Sequence, residues 1–252
     1  MRPTAKLTWI EVKLFLREPL AVIFAFAFPF FVLFVLAGVF GNDLDDADPE
    51  DIRVWRGVGP TDYYVPAYIG LVMASLGLIS LPLRLATYRE QGILRRYRAA
   101  GMPLAAIFGS QVIVAVAMAV IGGAGIAVVS SLVYGTEFAE SWPGVAGAFA
   151  VSVLAFCAVG LMLGGVLPTA RAAQGGGLIL FFVMMFISGA GPPREVLAGG
   201  MKAFSEGLLL THVIIALQDP WLGYGWNWTR LGVTAAFGAL CLAVAAWRFR
   251  WE

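Results

Sequence analysis

The sequence predicts an all-α membrane protein whose six helices cross the bilayer, and three observations carry that prediction. The first is composition: 60% of the residues are hydrophobic and 13% charged, where an ordinary soluble domain carries about 45–50% apolar and about 25% charged residues. Too little polar surface is left to coat a soluble globule. The second is the set of charge-free apolar runs at 20–40, 63–83, 104–133, 145–167, 174–191 and 231–247. Each approaches or exceeds the roughly 20 helical residues needed to cross a hydrocarbon core of about 30 Å. Continuous runs, rather than ten-residue alternating segments, favour a helical bundle over a barrel, because backbone polar groups in lipid must be satisfied internally.

The third observation is the placement of basic residues. Four precede the first run (Arg2, Lys6, Lys13, Arg17), five lie between the second and third (Arg84, Arg89, Arg95, Arg96, Arg98), Arg171 follows the fourth, and Arg248 and Arg250 follow the sixth. These twelve fall on one side of a six-span topology, against Arg53, Arg56, Arg194, Lys202 and Arg230 on the other. The positive-inside rule therefore predicts a multi-pass protein with both termini in the cytoplasm.

Taken in order, residues 1–19 read as a cytoplasmic amphipathic helix lying in the membrane interface. At about 100° per residue, Lys6, Lys13 and Arg17 fall within about 40° of one another, while Trp9, Val12, Phe15 and Leu16 lie toward the other side. Such a helix serves either as a basic anchor before a span or as a docking element for a partner. The run 20–40 is longer than a signal-peptide core and has no small-x-small cleavage site, so it is retained as a span. Its Phe24, Phe26, Phe28, Phe30, Phe31 and Phe34 either pack or face lipid, or line a cavity, and Pro29 is positioned to kink the helix. The acids Asp43, Asp45, Asp46, Asp48, Glu50 and Asp51 read as a solvated external loop, without the full pattern of a calcium hand.

Residues 88–100 hold Arg89, Arg95, Arg96 and Arg98 against the single acid Glu90, with Gly92 near the start and Gly101-Met102-Pro103 as a stop. Basic residues in a short loop can simply fix orientation. A discrete helix joining two spans can also act as a mechanical coupling element. Gly160-x-x-x-Gly164 and Gly175-Gly176-Gly177 permit close helix approach. The 192–230 connection is too apolar for a plain loop and too short to cross, so short external re-entrant helices are expected there.

The order REP (17–19), REQGILRRYRAAGMP (89–103), LPTARAAQ (167–174) and FISGAGPPREVL (186–197) resembles the ABC type-2 permease family, the membrane half of exporters of drugs, lipids and polysaccharides. The resemblance runs across nearly the whole chain. It implies that residues 5–18, with Lys6, Lys13, Arg17 and Glu18, form a connecting helix, and that 88–100, with Arg89, Glu90, Gly92, Arg95, Arg96 and Arg98, forms the coupling helix seated on a separate ATPase. It implies that 192–220 closes the top of the pathway, and that Phe28, Phe31 and Met185 lie near it, since the first and fifth spans flank the subunit interface in the family. The stretch GPPREVLAGGMKAF departs from the more apolar proline-and-leucine pattern common there.

Function is bounded by what the chain lacks. No Walker A loop and no Gly-Lys dipeptide occur, so ATP and magnesium are expected in a partner ATPase and no cofactor on this chain. The chain itself is not an enzyme by this reading, although the assembled complex would be an ATP-driven translocase. No metal-ligand spacing appears, and Cys157 and Cys241 read as free buried thiols. No predicted span holds an Asp, Glu or Lys, which weighs against a proton-coupled secondary carrier. No Gly-x-Ser-x-Gly context surrounds Ser188, which weighs against pairing it with His212 in a membrane-embedded enzyme. The expectation is a permease subunit exporting a hydrophobic or amphipathic compound across a bacterial plasma membrane, paired with a second copy or a related permease. The short first external loop leaves no sugar-reading domain, which favours drug, antibiotic or lipid efflux over polysaccharide export.

Overall fold

The computed structural model describes residues 3–45 and 47–248, with side chains left out for 3–6 and 104, so Asp46, Arg250 and the side chain of Lys6 lie outside the described residues. Among the described residues every regular element is helical. The first helix, α1 (Pro3–Leu16), leads into α2 (Pro19–Phe40), which contains a π-helical turn at Ile23–Ala27. A short helix α3 (Pro49–Trp55) precedes α4, which runs over 60–90 as Pro60–Ser75, a π-helical turn Leu76–Ser80, and Leu81–Glu90. Next come α5 (Ile93–Ala99), α6 (Leu104–Tyr134), α7 (Trp142–Val166) and α8 (Ala170–Ile187). A 3-10 turn at Arg194–Val196 precedes α9 (Gly199–Ser205), α10 (Leu209–Trp221) and α11 (Trp228–Arg248).

Local chemistry sets many of these boundaries. Proline opens α2, the Pro49 and Pro60 helices, and the first turn of α7, where its missing N–H removes no helical hydrogen bond. Asp48 and Thr169 accept hydrogen bonds from the backbone N–H groups of Glu50 and Ala172, capping α3 and α8. Gly41 and Gly135 end α2 and α6 with φ of 70° and 67°, a region that disfavours residues with a Cβ.

Among the described residues six helices are long and apolar enough to cross a membrane, and α9 with α10 forms a pair bent by 88°. The second membrane helix differs from its expected 63–83 extent, because the helix continues through Arg84 to Glu90. It sits at the centre of the bundle and is buried along almost its whole length. Tyr63, Tyr64, Tyr68, Leu71, Met73 and Leu78 are fully buried against the helices around it. The other five membrane helices leave broad apolar faces outward, as expected where lipid replaces water.

Lipid provides little hydrophobic drive for helix association, so small residues and close approach do that work. Gly160 of α7 lies against the carbonyl of Gly77, within the π turn of α4, and Gly177 of α8 lies against the carbonyl of Leu78. A methyl group at either position would overlap that backbone oxygen. Of the predicted triplet, only Gly177 is used this way, since Gly175 faces open space.

Chain direction and hydrogen bonds define two ends. At the near end, the α4–α5 connection meets the α7–α8 turn through Arg89 and Glu90. At the far end, Asn42, Asp62 and Glu137 meet, and Arg56 reaches Asp219.

Candidate functional site

The near end places the predicted coupling residues in two groups with different jobs. Arg89 donates from Nη1 to the carbonyls of Gly164, Gly165 and Leu167, at 2.8, 3.0 and 3.1 Å, which are orphan acceptors at the end of α7. Glu90 accepts from the backbone N–H of Ala170, at the start of α8. This pair is a staple, not a surface. Gly92, at φ 65°, then turns the chain into α5. Arg95, Arg96 and Arg98 of that helix are exposed, while Leu94 is fully buried beneath them. The basic face of α5 is thus held at the tip of the long central helix.

A second set of near-end contacts was missed from the sequence. Glu11 of α1 is 0% exposed and Arg84 of α4 is 5% exposed, and Arg84 Nη1 donates to both the Glu11 carboxylate and its backbone carbonyl at 3.0 Å. Arg84 Nη2 reaches Glu18 at 3.2 Å, and the Tyr88 hydroxyl donates to Glu11 at 2.9 Å. The guanidinium also lies over the Phe15 ring, with 5.8 Å to the centroid. Burial, followed by the charge of Glu11, raises the Tyr97 hydroxyl pKa, so α5 borders the same cluster. One carboxylate therefore ties α1 to α4 and lies close to α5.

This cluster changes the reading of the first helix. Its buried stripe is Leu7, Glu11 and Phe15, whereas Trp9 is 61% exposed and Leu16 also faces outward. Four-residue spacing puts the stripe on one side, and Glu11 faces protein because Arg84 meets it there. Lys13 and Arg17 are exposed, with Lys13 Nζ above the Trp9 ring, and Glu18 is half-buried against Arg84. The legible signal was Glu11, the lone acid in 3–16 at i+4 from Leu7 and i−4 from Phe15.

At the far end an ion-pair network joins the segments around α9 and α10. Arg56 pairs with Asp219 at 2.7 Å, Tyr63 donates to Glu195 at 2.9 Å, and Glu206 pairs with both Arg194 and Arg230. The Arg230 hydrogen bond, aided by the charges of both arginines, lowers the Glu206 pKa to about 2 despite its partial burial. Arg230 donates to His212 Nδ1 at 3.0 Å and His212 Nε2 donates to the Glu206 carbonyl at 2.9 Å, a pattern that fits the neutral ring. Arg56, Tyr63, Arg194, Glu195, Asp219 and Arg230 line a polar cavity of about 300 Å³. His212 is fully engaged here, and no hydrogen bond joins it to Ser188 among the described residues.

The three predicted pathway residues separate into two settings. Phe31 is 63% exposed and Met185 5% exposed, and both border an apolar groove of about 530 Å³ between α2 and α8. Phe40, Trp55 and Tyr64 close its far end. Phe28 instead joins an aromatic cluster with Phe24, Phe181 and Phe182, tilted against Phe24 and edge-to-face with the other two, at ring separations of 5.4–6.0 Å. That cluster fastens α2 to α8 one turn nearer the termini.

A family model described as ABC-2 type transporter matches residues 4–222, which covers α1 through α10. The chain belongs to the ABC-2 type transporter family. Comparison with curated proteins gives no match. Membership makes the chain a multi-pass membrane permease component of an ABC transporter, in a family whose members typically pair with an ABC ATPase and generally lack an ATPase site of their own.

Proposed function

We propose that this permease subunit exports a hydrophobic or amphipathic compound, a drug, an antibiotic or a lipid, outward across a bacterial plasma membrane. A separate ATPase binds ATP and magnesium, both termini of the permease are cytoplasmic, and a second copy or a related permease completes the pathway. The carrying observation is the exposed Arg95, Arg96 and Arg98 face of α5, held on the central helix by the Arg89–Glu90 staple and bordered by the Glu11–Arg84 cluster. A helix fixed at that many points transmits a push instead of absorbing it. The groove bearing Phe31 and Met185 supports an apolar substrate, because its lining offers shape and contact rather than charge.

Buried ionisable residues often mark ion pathways in carriers. Glu11 and Arg84 instead satisfy each other at the near end of the bundle, which favours a structural tie over a proton relay. The deciding experiment is coexpression with a candidate ABC ATPase from the same source, followed by copurification and a transport assay in proteoliposomes. Arg95→Glu with Arg96→Glu should leave the protein inserted and the complex hydrolysing ATP, with export lost. Export at the wild-type rate in the double variant would remove α5 as the coupling element. A fully active permease without any ATPase would instead favour the secondary carrier.

A further inference from the structure

On the side of the bundle formed by α6 and α7, an apolar groove of about 330 Å³ opens outward. Its floor is made of small residues on α6, Gly123, Ala124 and Ala127, while Phe149, Trp142 and Trp221 form the walls. Consecutive membrane helices joined by a short loop would normally pack along their length. Here α6 and α7 touch far less than α7 and α11 do, and the groove lies between them. Trp142 sits 6.3 Å, ring to ring, from both Phe138 and Trp221, so an aromatic rim marks its far-end mouth. Such rings favour the depth of lipid headgroups.

The rim also carries charge of one sign. Glu137 and Glu140 are exposed in the loop that begins α7, and Asp62 is bound by the backbone N–H of Glu137. The Glu140 backbone N–H donates to the carbonyl of Trp221, a wall of the groove. None of the described ion pairs engages Glu137 or Glu140. The Glu140 carboxylate lies beside Gly223, just past Trp221. An apolar slot at membrane depth below carboxylates held in no ion pair matches an acyl chain below a cationic amine, and disfavours a headgroup whose charge is only negative.

We propose that the α6–α7 groove binds one zwitterionic phospholipid, whose headgroup carries a cationic nitrogen, from the half of the bilayer at the far end. The acyl chain lies over Gly123, Ala124 and Ala127, and the ammonium group meets Glu137 and Glu140. The site is separate from the α2–α8 groove and does not depend on the direction of transport.

The test uses the purified full chain in phosphatidylcholine nanodiscs doped with either of two photoreactive lipids. Both carry a diazirine in one acyl chain, one with a phosphatidylethanolamine and the other with a phosphatidylglycerol headgroup. Peptide mapping should place the ethanolamine probe on residues 120–128 and 142–149 in excess over the glycerol probe. Ala124→Phe with Ala146→Phe, both exposed groove positions, should abolish that labelling and leave labelling around the outward-facing Leu240 and Leu242 unchanged. Glu137→Gln with Glu140→Gln should keep the groove labelled but remove the preference, and this pair serves if the filled variant fails to fold. Equal labelling by the two probes in the native chain would overturn the assignment. So would labelling that survives the filled groove, or cysteine crosslinks across it to a second copy.

Discussion

Replacing Arg84 with Met keeps much of the side-chain stem and removes the charge, leaving the fully buried Glu11 carboxylate without its guanidinium. Breaking a buried ion pair by removing one partner typically costs about 3–5 kcal/mol, because an uncompensated buried charge remains. The loss of the Glu18 contact adds little, since that carboxylate is partly exposed and exposed pairs contribute about 0–1 kcal/mol. A cost of about 3–5 kcal/mol corresponds to roughly two to three and a half orders of magnitude in the unfolding equilibrium. Glu11→Leu alone should fall in the same range, for it leaves Arg84 buried with its Glu11 carboxylate partner gone. The double variant behaves differently: two apolar side chains of similar volume in place of a buried pair are often neutral or stabilising by about 1–4 kcal/mol.

The assay is reversible unfolding of the purified chain in mixed micelles of increasing SDS fraction, applied to the wild type, both single variants and the double variant. Large single losses with near-complete recovery in the double variant would show that the cost is electrostatic rather than lost packing. The double variant should nevertheless export poorly relative to its ATP hydrolysis, because α1 would no longer be keyed to α4 by a directional contact. Single losses below about 1 kcal/mol, or a double loss equal to the sum of the singles, would refute the role assigned to the pair.

An introduced cysteine replacing Asp43 should react with an impermeant reagent on intact cells, and one replacing Arg248 only after the membrane is opened; the reverse pattern would overturn the orientation. Phe31→Ala and Met185→Ala should change which apolar compounds are exported while basal ATP hydrolysis by the complex persists, whereas Phe28→Ala should also loosen the contact between α2 and α8. Because the folded-state pKa of Glu206 lies below its ordinary value, its stabilising contribution is present above about pH 4.5 and is lost as pH falls toward about 2. The stability gap between wild type and Glu206→Gln should therefore be flat at neutral pH and close only within that acid window; closure above pH 6 would point to a different group.

The fold class was legible because lipid imposes a constraint that length and composition can express. Continuous apolar runs of the required length have few alternatives to a spanning helix. Boundaries were less legible at α4, where the charge on Arg84 suggested the end of a span. The helix runs on through Glu90 because Glu11, a residue 73 positions earlier, neutralises that arginine inside the protein. No local pattern announces a partner at that distance. The same applies to Arg89, which read as part of a basic face and instead satisfies three carbonyls of α7. Charge counting ranks side chains by sign and side of the membrane, and cannot tell an arginine facing solvent from one capping a helix.

The distribution of π-helical turns links these observations to movement. Both lie in membrane helices, at Ile23–Ala27 in α2 and Leu76–Ser80 in α4, and the turn in α4 is where Gly77 and Leu78 present carbonyls to the glycines of α7 and α8. A π turn widens the helix and frees it from regular bonding, so it is a natural place for a helix to change direction. The Glu11–Arg84 pair and the Arg89–Glu90 staple fix the segment of α4 on the near side of that turn, and the tyrosines Tyr63, Tyr64 and Tyr68 fix the segment beyond it. A push on α5 would therefore reach a rigid near-end block first, and the turn at 76–80, packed through glycine against α7 and α8, is the point at which that block can tilt relative to the far end.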